Sequence, residues 1–424
     1  MITNRPKGRW PLAPLGSLAE FRNGVNFSKV NFGSGIKVIG VSDFQNNVRA
    51  SFDNLEQINP EGVVRKEHLL KNGDILFVRS NGNRDLIGRS MFVDRLQEGI
   101  THSAFSIRLR FVSEECHPRF YAYLFRSHLI RQALSLHGGG TNISNLNQDI
   151  LGRLQVPLPP KSAQCKIASI LSAYDDLIEN DTRRIKILEE MARMIYREWF
   201  VNFRFPDHEK VRMVESEMGS IPTGWTVRPL RELTTLITRG ISPHYDDEAT
   251  GLVINQKCIR DGRISLEPSR KQSKKVPEDK LIRVGDVLIN STGVGTLGRV
   301  AQVLELISDC TVDSHVSIVR PKINSEFFGR TLLQLEQDFE RLGVGSTGQT
   351  ELSRERIGST IVVVPTPDWQ ERFSRVAAPM NKMSVCCLAR ISNLRQTRDL
   401  LLPKLISGEI SVEQFEAELV AQGV

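Results

Sequence analysis

The chain has 424 residues, more than one hydrophobic core usually supports, so about two or three domains are expected. Hydrophobic residues make up 40% and charged residues 25%, as in ordinary globular proteins. The net charge of +7 favours an anionic partner, with nucleic acid first. The sequence shows neither an apolar run of membrane-spanning length nor an apolar N-terminal signal segment, so we expect a cytoplasmic protein with no membrane partner.

Short segments rich in apolar and β-branched residues predict strands in the first half of the chain. They cover residues 36–39, 75–78 and 105–109. A helical stretch is predicted over 118–136, followed by a glycine turn over 137–141 and the pair Val156-Pro157. This mixture indicates a compact α+β domain.

From residue 167 the apolar period changes from two to seven, which predicts a long helix. Seam residues recur at alternating steps of four and three, with Asp181 as a polar interruption. The seam consists of Ile167, Leu171, Tyr174, Ile178, Asp181, Ile185, Leu188, Ala192, Ile195 and Trp199. About five heptads of this kind are typical of a coiled coil. A helix buried in its own domain core is the alternative.

The second half repeats the first at a period of roughly 210 residues, far longer than a solenoid unit. The segment that begins at Trp10 returns at Trp225, and Gly73-Asp74 returns as Gly285-Asp286. Predicted strands recur at 252–254, 287–289 and 315–319, a helical stretch at 326–342, a glycine turn at 343–347 and a Val-Pro pair at 364–365. The chain is therefore a duplicated domain.

A second, less regular helix closes the chain. Its apolar positions are Phe373, Ala377, Met380, Cys387, Ile391, Leu394, Leu401 and Leu405. Ser384 and Arg398 interrupt them, so a stutter is expected. Two helices of similar length, one after each repeat, can pack together, and antiparallel packing is the arrangement we expect.

The predicted fold class is α+β: two tandem globular domains separated by two long antiparallel helices that form a coiled coil, with a pseudo-two-fold internal repeat. The predicted boundaries are 1–160 for the first domain, 161–203 for the first spacer helix, 204–368 for a linker and the second domain, and 369–424 for the second spacer helix and tail.

Catalytic motifs do not assemble from this sequence. The segment 293–298 matches GxGxxG, but the residues after it read as a strand, so no helix begins where a pyrophosphate would bind. The six cysteines and eight histidines show no metal-ligand spacing. We expect no enzymatic activity, cofactor or metal on this chain.

Two segments resemble known conserved regions. The first, Tyr196 to Pro206, ends the first long helix, and the second, Leu394 to Glu409, ends the other. Both are similar to the conserved regions of type I restriction-modification specificity subunits. The Gly-Asp turns at Gly73 and Gly285 are similar to that family as well. The resemblance covers the whole chain.

The resemblance implies a function. Each half would be a target-recognition domain that reads one part of a bipartite, asymmetric double-stranded DNA site, and the helices would set the gap between the parts. Two modification (methyltransferase) subunits and the restriction (translocase and endonuclease) subunits would dock on the chain. S-adenosylmethionine, ATP and Mg²⁺ would bind on those partner subunits.

Polar side chains at strand ends are the candidate base readers, because Arg suits guanine, Asn and Gln suit adenine, and Ser and Thr suit either. The candidates in the first half are Arg79, Ser80, Asn81, Asn83, Arg84, His102, Thr141 and Asn142. Those in the second half are Arg239, His244, Tyr245, Asn290, Ser291, Thr292, His315, Thr347 and Gln349. A solvated turn is the alternative for each.

Two further sets of residues are candidates for contacts with other molecules. The basic stretch 270–275 could contact phosphates or be a solvated face. The candidate partner-docking residues are Tyr196, Trp199, Phe200, Phe203, Leu401 and Leu405. A different class of function also fits the coiled coil, namely a two-armed protein scaffold that does not bind DNA.

Overall fold

The computed structural model describes residues 10–44, 48–83, 86–96, 99–136, 145–343, 351–410 and 412. The chain divides into two compact units. Unit 1 comprises Met1–Ile178 with Ser392–Val424, and unit 2 comprises Glu179–Ile391. Each is described by itself below.

Unit 1 is built on short strands. They are β1 (Leu12–Pro14), β2 (Ala19–Asn23), β3 (Phe32–Ile39), β4 (Glu56–Ile58), β5 (Ile75–Val78), β6 (Ser90–Phe92), β7 (Ile100–His102), β8 (Ser106–Phe111) and β9 (Gln155–Pro157). A four-stranded antiparallel sheet has the order β2-β8-β5-β6, and a three-stranded sheet has the order β4-β3-β7 with β3 and β7 parallel. Strand β1 pairs with β9. The strands predicted over 36–39, 75–78 and 105–109 are confirmed.

The helices of unit 1 pack on the four-stranded sheet. They are α1 (Pro118–Arg126), α2 (His128–Leu136), α3 (Gln148–Arg153) and the first part of α4 (Lys161–Tyr196). Aromatic side chains fill the core between helix and sheet, including Phe77, Phe120 and Phe125. The single helix predicted over 118–136 is wrong in detail, because Ser127 takes extended backbone and ends α1.

Unit 2 repeats this topology. Its strands are β10 (Met213–Ser216), β11 (Gly219–Pro222), β12 (Thr226–Pro229), β13 (Thr234–Arg239), β14 (Gly251–Ile254), β15 (Ile259–Arg260), β16 (Arg263–Ile264), β17 (Arg270–Gln272), β18 (Val287–Asn290), β19 (Val300–Gln302), β20 (Cys310–Val312), β21 (Val316–Pro321) and β22 (Ile361–Val364). The sheets β13-β21-β18-β19 and β17-β14-β20 match those of unit 1 strand for strand, and β12-β22 matches β1-β9. The duplication predicted from the sequence is confirmed.

The helices of unit 2 follow the same order. They are the second part of α4, α5 (Ser325–Gln334), α6 (Glu336–Arg341), α7 (Arg354–Ser359) and most of α8 (Pro367–Ser407). The end of α8, from Ser392 on, belongs to unit 1. The helix predicted over 326–342 is again two helices, divided at Leu335. The predicted linker after residue 204 is more ordered than expected, because β10 and β11 form a hairpin whose Ile221 lies in the core of unit 2.

One buried network appears at the same place in both units. Arg110 donates two hydrogen bonds to the carboxylate of Asp74, at 2.7 Å each, and Arg320 donates two to Asp286, at 2.8 Å each. Each carboxylate is 1% exposed and also accepts from the backbone N–H three residues before it. The repeated Gly-Asp turns therefore persist because the fold needs the aspartate as a buried link between two strands.

The seam predicted for the long helices is confirmed by burial. Along α4 the predicted positions are buried or half-buried, including the polar Asp181. On α8, Ser384 and Arg398 do not interrupt the seam: Ser384 is buried, and Arg398 pairs with Asp175 within unit 1. The expected stutter is therefore wrong, since the steps of four and three continue through both residues. Within unit 2, Asp181 pairs with Arg390, and Tyr196, further along α4, packs against Phe373, which comes earlier in α8. The two helices therefore run antiparallel.

Candidate nucleic-acid interface

One end of the four-stranded sheet in unit 1 is held by a short frame of backbone hydrogen bonds. The N–H of Arg79 donates to the carbonyl of Phe105 (2.8 Å), and the carbonyl of Arg79 accepts from Leu146 (2.9 Å). Three chain segments therefore meet just beyond β5: the β7–β8 turn, the end of β5 and the segment before α3. We call this place the sheet end of unit 1.

Unit 2 has the same frame at its own sheet end. The N–H of Ser291 donates to the carbonyl of His315 (2.8 Å), and the carbonyl of Ser291 accepts from Leu352 (2.9 Å). Ser291 therefore corresponds to Arg79, and Asn290 corresponds to Val78.

A glycine after the first sheet strand lets the backbones meet at each sheet end. A Cβ on Gly24 would lie 2.2 Å from the carbonyl oxygen of His102, and one on Gly240 would lie 1.9 Å from that of Val312. The next residues, Val25 and Ile241, donate backbone hydrogen bonds to those same carbonyls at 2.8 and 3.0 Å. Only glycine fits these two positions, because any side chain would enter the opposing backbone.

The two frames carry different side chains at corresponding positions. The pairs, unit 1 first, are Asn23 and Arg239, Arg79 and Ser291, Ser80 and Thr292, Phe105 and His315, Asn145 and Glu351, and Gln148 and Arg354. Six of these residues were not among the candidates predicted from the sequence: Asn23, Phe105, Asn145, Gln148, Glu351 and Arg354. The repeat of Gly24 as Gly240 could have identified Asn23, because it aligns the strands that come before the two glycines.

In unit 2 a chain of hydrogen bonds runs across the sheet end. The Gln256 amide donates to the hydroxyl (2.6 Å) and the carbonyl (2.9 Å) of Thr292, and that hydroxyl is 2.8 Å from Nδ1 of His315. His315 is exposed. The structure thus brings together two of the predicted candidates, and it adds Gln256, which the sequence analysis did not single out.

Arg239 is brought to the same sheet end but has a structural role there. Its guanidinium donates to the carbonyls of Ser314 (3.2 Å) and Leu352 (3.0 Å) and to the carboxylate of Glu351 (2.7 Å). These bonds join the β20–β21 turn to the segment before α7. Arg239 therefore orients neighbouring groups and has fewer donors left for a base than the sequence suggested.

Three predicted base readers are buried, which corrects the sequence analysis. His102, Asn290 and Ser291 each have no exposed surface. Nδ1 of His102 lies 2.8 Å from the Ser106 hydroxyl, and burial lowers the pKa of His102 to about 3, so this imidazole is neutral. The Asn290 amide donates to the carbonyl of Gln256 and lies within the sheet. The sequence placed these residues at strand ends but could not show that other segments cover those ends.

The other candidates of unit 1 follow the sheet end along the chain. Arg79, Ser80 and Asn81 are half-exposed. The side-chain Oδ1 of Asn81 accepts a hydrogen bond from the backbone N–H of the exposed Asn83 (2.7 Å), which fixes a tight turn. Five predicted candidates fall outside the described residues: Arg84, Thr141, Asn142, Thr347 and Gln349.

His244 and Tyr245 lie beside the edge strand β17 in unit 2 and not at the sheet end. The carbonyl of His244 accepts a hydrogen bond from the N–H of Ser273 (2.9 Å), and Tyr245 forms an antiparallel β-bridge with Gln272. The guanidinium carbon of Arg270 stands 3.6 Å from the centroid of the Tyr245 ring. The basic stretch predicted over 270–275 is therefore an exposed strand edge stacked on an aromatic residue.

The predicted partner-docking aromatics pack in or against the core of unit 2. The expectation is corrected for the buried Tyr196 and Phe200 and stays a prediction for Trp199 and Phe203. Tyr196 and Phe200 are buried, Trp199 and Phe203 are partly buried, and Phe373 packs among them. The Tyr196 hydroxyl donates to the buried hydroxyl of Thr331 (3.0 Å). Burial also raises the pKa of the Tyr196 phenol to about 12. In unit 1, Leu405 is buried and Leu401 packs against the same core.

The described residues contain no group of histidines, cysteines or carboxylates suited to a metal ion. No helix among them is long and apolar enough to cross a membrane.

The arrangement defines a known class of fold. It is the fold of a crystal structure of a type I restriction-modification system S subunit from M. genitalium, with a TM-score of 0.59 over 96% of this chain and 97% of that chain, at 18% sequence identity. Residues 8–190 match the family described as the type I restriction modification DNA specificity domain.

Curated relatives extend the match along the chain. The type I restriction enzyme MjaIX specificity subunit of Methanocaldococcus jannaschii is 26% identical over 302 residues, which cover 69% of each chain. The HindI specificity subunit of Haemophilus influenzae is 22% identical over 421 residues, covering 80% of this chain and 87% of that one. The chain is a homologue of type I restriction enzyme specificity subunits, and the resemblance seen in its sequence motifs is confirmed.

Proposed function

We propose that this chain is the DNA-specificity subunit of a type I restriction-modification complex and that each unit reads one half of a bipartite DNA site. One observation carries the proposal. Both sheet ends share a backbone frame and a required glycine, yet nearly every frame position differs in side chain, as at Ser80 and Thr292 or Phe105 and His315. A shared frame with different polar groups suits two readers of two different sequences.

The candidate base-contacting residues follow from exposure. In unit 1 they are Arg79, Ser80, Asn81 and Asn83, with Asn23 and Gln148 beside them; in unit 2 they are Thr292 and His315, with Gln256 behind. Arg239 positions the loops around the sheet end of unit 2. The long helices would set the gap between half-sites.

Docking of two modification subunits is part of the proposal. An exposed apolar row on α4 and the turn after it supports a docking surface: Ile187, Met191, Met194 and Val201 recur at steps of four, three and seven. The modification subunits would carry S-adenosylmethionine and the methyltransferase site, and the restriction subunits would carry ATP and Mg²⁺. The chain itself would be non-catalytic and act in the cytoplasm.

The test is to map methylated adenines in the genome of the source cell with and without this gene. The proposal expects one bipartite motif, with two half-sites and a fixed gap, to lose methylation when the gene is removed. An unchanged methylation pattern contradicts it. Lack of sequence-selective DNA binding by the co-expressed complex would instead support a scaffold without a DNA role.

A further inference from the structure

The edge strand of the three-stranded sheet carries opposite charge in the two units. Strand β17 pairs with β14 in the same register as β4 with β3, so Arg270 and Lys271 occupy the positions of Glu56 and Gln57. The correspondence continues beyond the strand, because Ser273 donates to the covering segment at His244 as Asn59 does at Asn31. One topological position is therefore basic in unit 2 and acidic in unit 1.

The basic edge of unit 2 consists of Arg270, Lys271, Lys274 and Lys275, all exposed, with Tyr245 beneath Arg270. The amino group of Lys271 donates to the carbonyl of Asp247 (3.1 Å) and that of Lys274 to the carbonyl of Ser242 (3.0 Å). In the described part of the chain, carbonyls and an aromatic ring, and not carboxylates, hold Arg270, Lys271 and Lys274. Their positive charge therefore remains available while part of their side-chain freedom is already lost.

The corresponding edge of unit 1 lacks this character. Residues 56–61 contain Glu56 and Glu61 and no basic side chain. The segment that covers this edge exposes Val30 almost fully and Phe32 to 45%. The phosphate backbone of DNA would be repelled by Glu56 and Glu61 and would gain no hydrogen bond from the side chains of Val30 and Phe32.

We infer that the basic edge of unit 2 binds the DNA phosphate backbone and that the matching edge of unit 1 does not. This inference rests on the proposed DNA-binding function. It makes unit 2 the stronger electrostatic contributor, although the acidic residues around the edge, Asp246, Asp247, Glu248 and Asp309, weaken the local field. Phosphate contacts of this kind add affinity and salt dependence without base preference.

The test compares two double variants of the full chain in its co-expressed complex. Arg270→Glu with Lys271→Gln gives the basic edge the side chains found in unit 1. The control, Arg231→Glu with Lys322→Gln, makes the same charge change on exposed residues of unit 2. These two residues lie at the end of β13 and β21 that is opposite to the sheet end. We expect both variants to fold, because all four residues are on the surface, and thermal melting checks this.

The readout is the dissociation constant for a duplex that contains the mapped site and for an unrelated duplex, over a range of KCl concentrations. We expect the first variant to lower the slope of log K against log salt by about 2, at about 0.9 per lost contact, on both duplexes. We expect the second variant to keep the wild-type slope. Equal slopes for wild type and the first variant overturn the inference. Wild-type protein without sequence-selective binding overturns the proposed function instead, so the two failures are distinguishable.

Discussion

Asp181 on α4 and Arg390 on α8 form a bidentate ion pair inside the helix seam of unit 2. The carboxylate is 1% exposed, whereas the guanidinium is 52% exposed and reaches it from the solvent side. The hydrogen bonds from Arg390 hold the pKa of Asp181 below its usual range. A charge at one seam position therefore selects the partner residue on the antiparallel helix and fixes the register of the pair.

Replacing Asp181 with asparagine is expected to lower the free energy of unfolding at pH 7 because the ion pair is lost. The loss should be modest, since the half-exposed Arg390 guanidinium is hydrated with or without its partner. Since the folded-state pKa of Asp181 is lowered, the pair stabilises the fold above the ordinary aspartate pKa of 3.8, and this contribution is lost as the pH falls below it. Denaturant titrations of wild type and Asp181→Asn between pH 7 and pH 3 measure the difference. A difference that is constant over this range would argue against the pair.

Valine in place of His102 is expected to make unit 1 less sensitive to acid, because valine occupies the same position in unit 2, at Val312. Burial lowers the pKa of His102 from 6.5 to about 3, so the unfolded chain takes up a proton that the folded chain refuses. The wild type then loses about 2 kcal/mol of unfolding free energy between pH 7 and pH 5 through this group. Melting curves of His102→Val at pH 7 and pH 5 should lack this loss of unfolding free energy. Parallel pH profiles for the two proteins would contradict the prediction.

Alanine at Gly24 or Gly240 is expected to disrupt the sheet end of its own unit. The added Cβ would meet a carbonyl oxygen at about 2 Å, which the frame cannot accommodate without moving a strand. We expect a loss of about 3 kcal/mol or more in the affected unit. Gly82→Ala is the matched control, because no atom lies within 4 Å of a Cβ built there. Hydrogen exchange resolves the two units, and equal protection in all three variants would count against a close approach of the backbones.

A heptad inserted into both long helices is expected to lengthen the gap between half-sites by about three base pairs, since seven helical residues span about 10 Å. The insertions lie between Asp181 and Ile185 on α4 and between Cys387 and Arg390 on α8, which keeps the antiparallel partners facing each other. Methylation mapping gives the new gap. Insertion in α4 alone is the control and should destabilise the protein by shifting the register. An unchanged gap in the double insertion would contradict the claim that the helices set the distance between half-sites.

The fold was largely predictable because its signals are periodic. Heptad spacing marked both helices, and the repeat of Gly73-Asp74 as Gly285-Asp286 marked the duplication. The prediction was wrong at Ser384 and Arg398, which looked like breaks because they are polar. Each is accommodated in the seam by a specific partner, the Met380 carbonyl and Asp175 respectively. Pattern alone does not show such partners.

The site was less predictable for a related reason. A polar residue after an apolar strand can face solvent or lie beneath another segment, and the sequence does not distinguish the two. Thr292 and His315 are at the surface, whereas Asn290 and Ser291, the two residues before Thr292, are covered by other segments. The aromatic segment after α4 was conspicuous, but Tyr196 and Phe200 serve the core of unit 2.

The most direct test of the central claim is a base-preference profile of the complex with one sheet end altered at a time. Ser80→Ala and Thr292→Ala occupy corresponding frame positions and serve as controls for each other. Binding is measured against a library of duplexes randomised in both half-sites. We expect each variant to change the preference for one half-site, by about 1–3 kcal/mol at the affected base pair, and to leave the other half-site unchanged. Equal changes in both half-sites from either variant would contradict the assignment of one half-site to each unit.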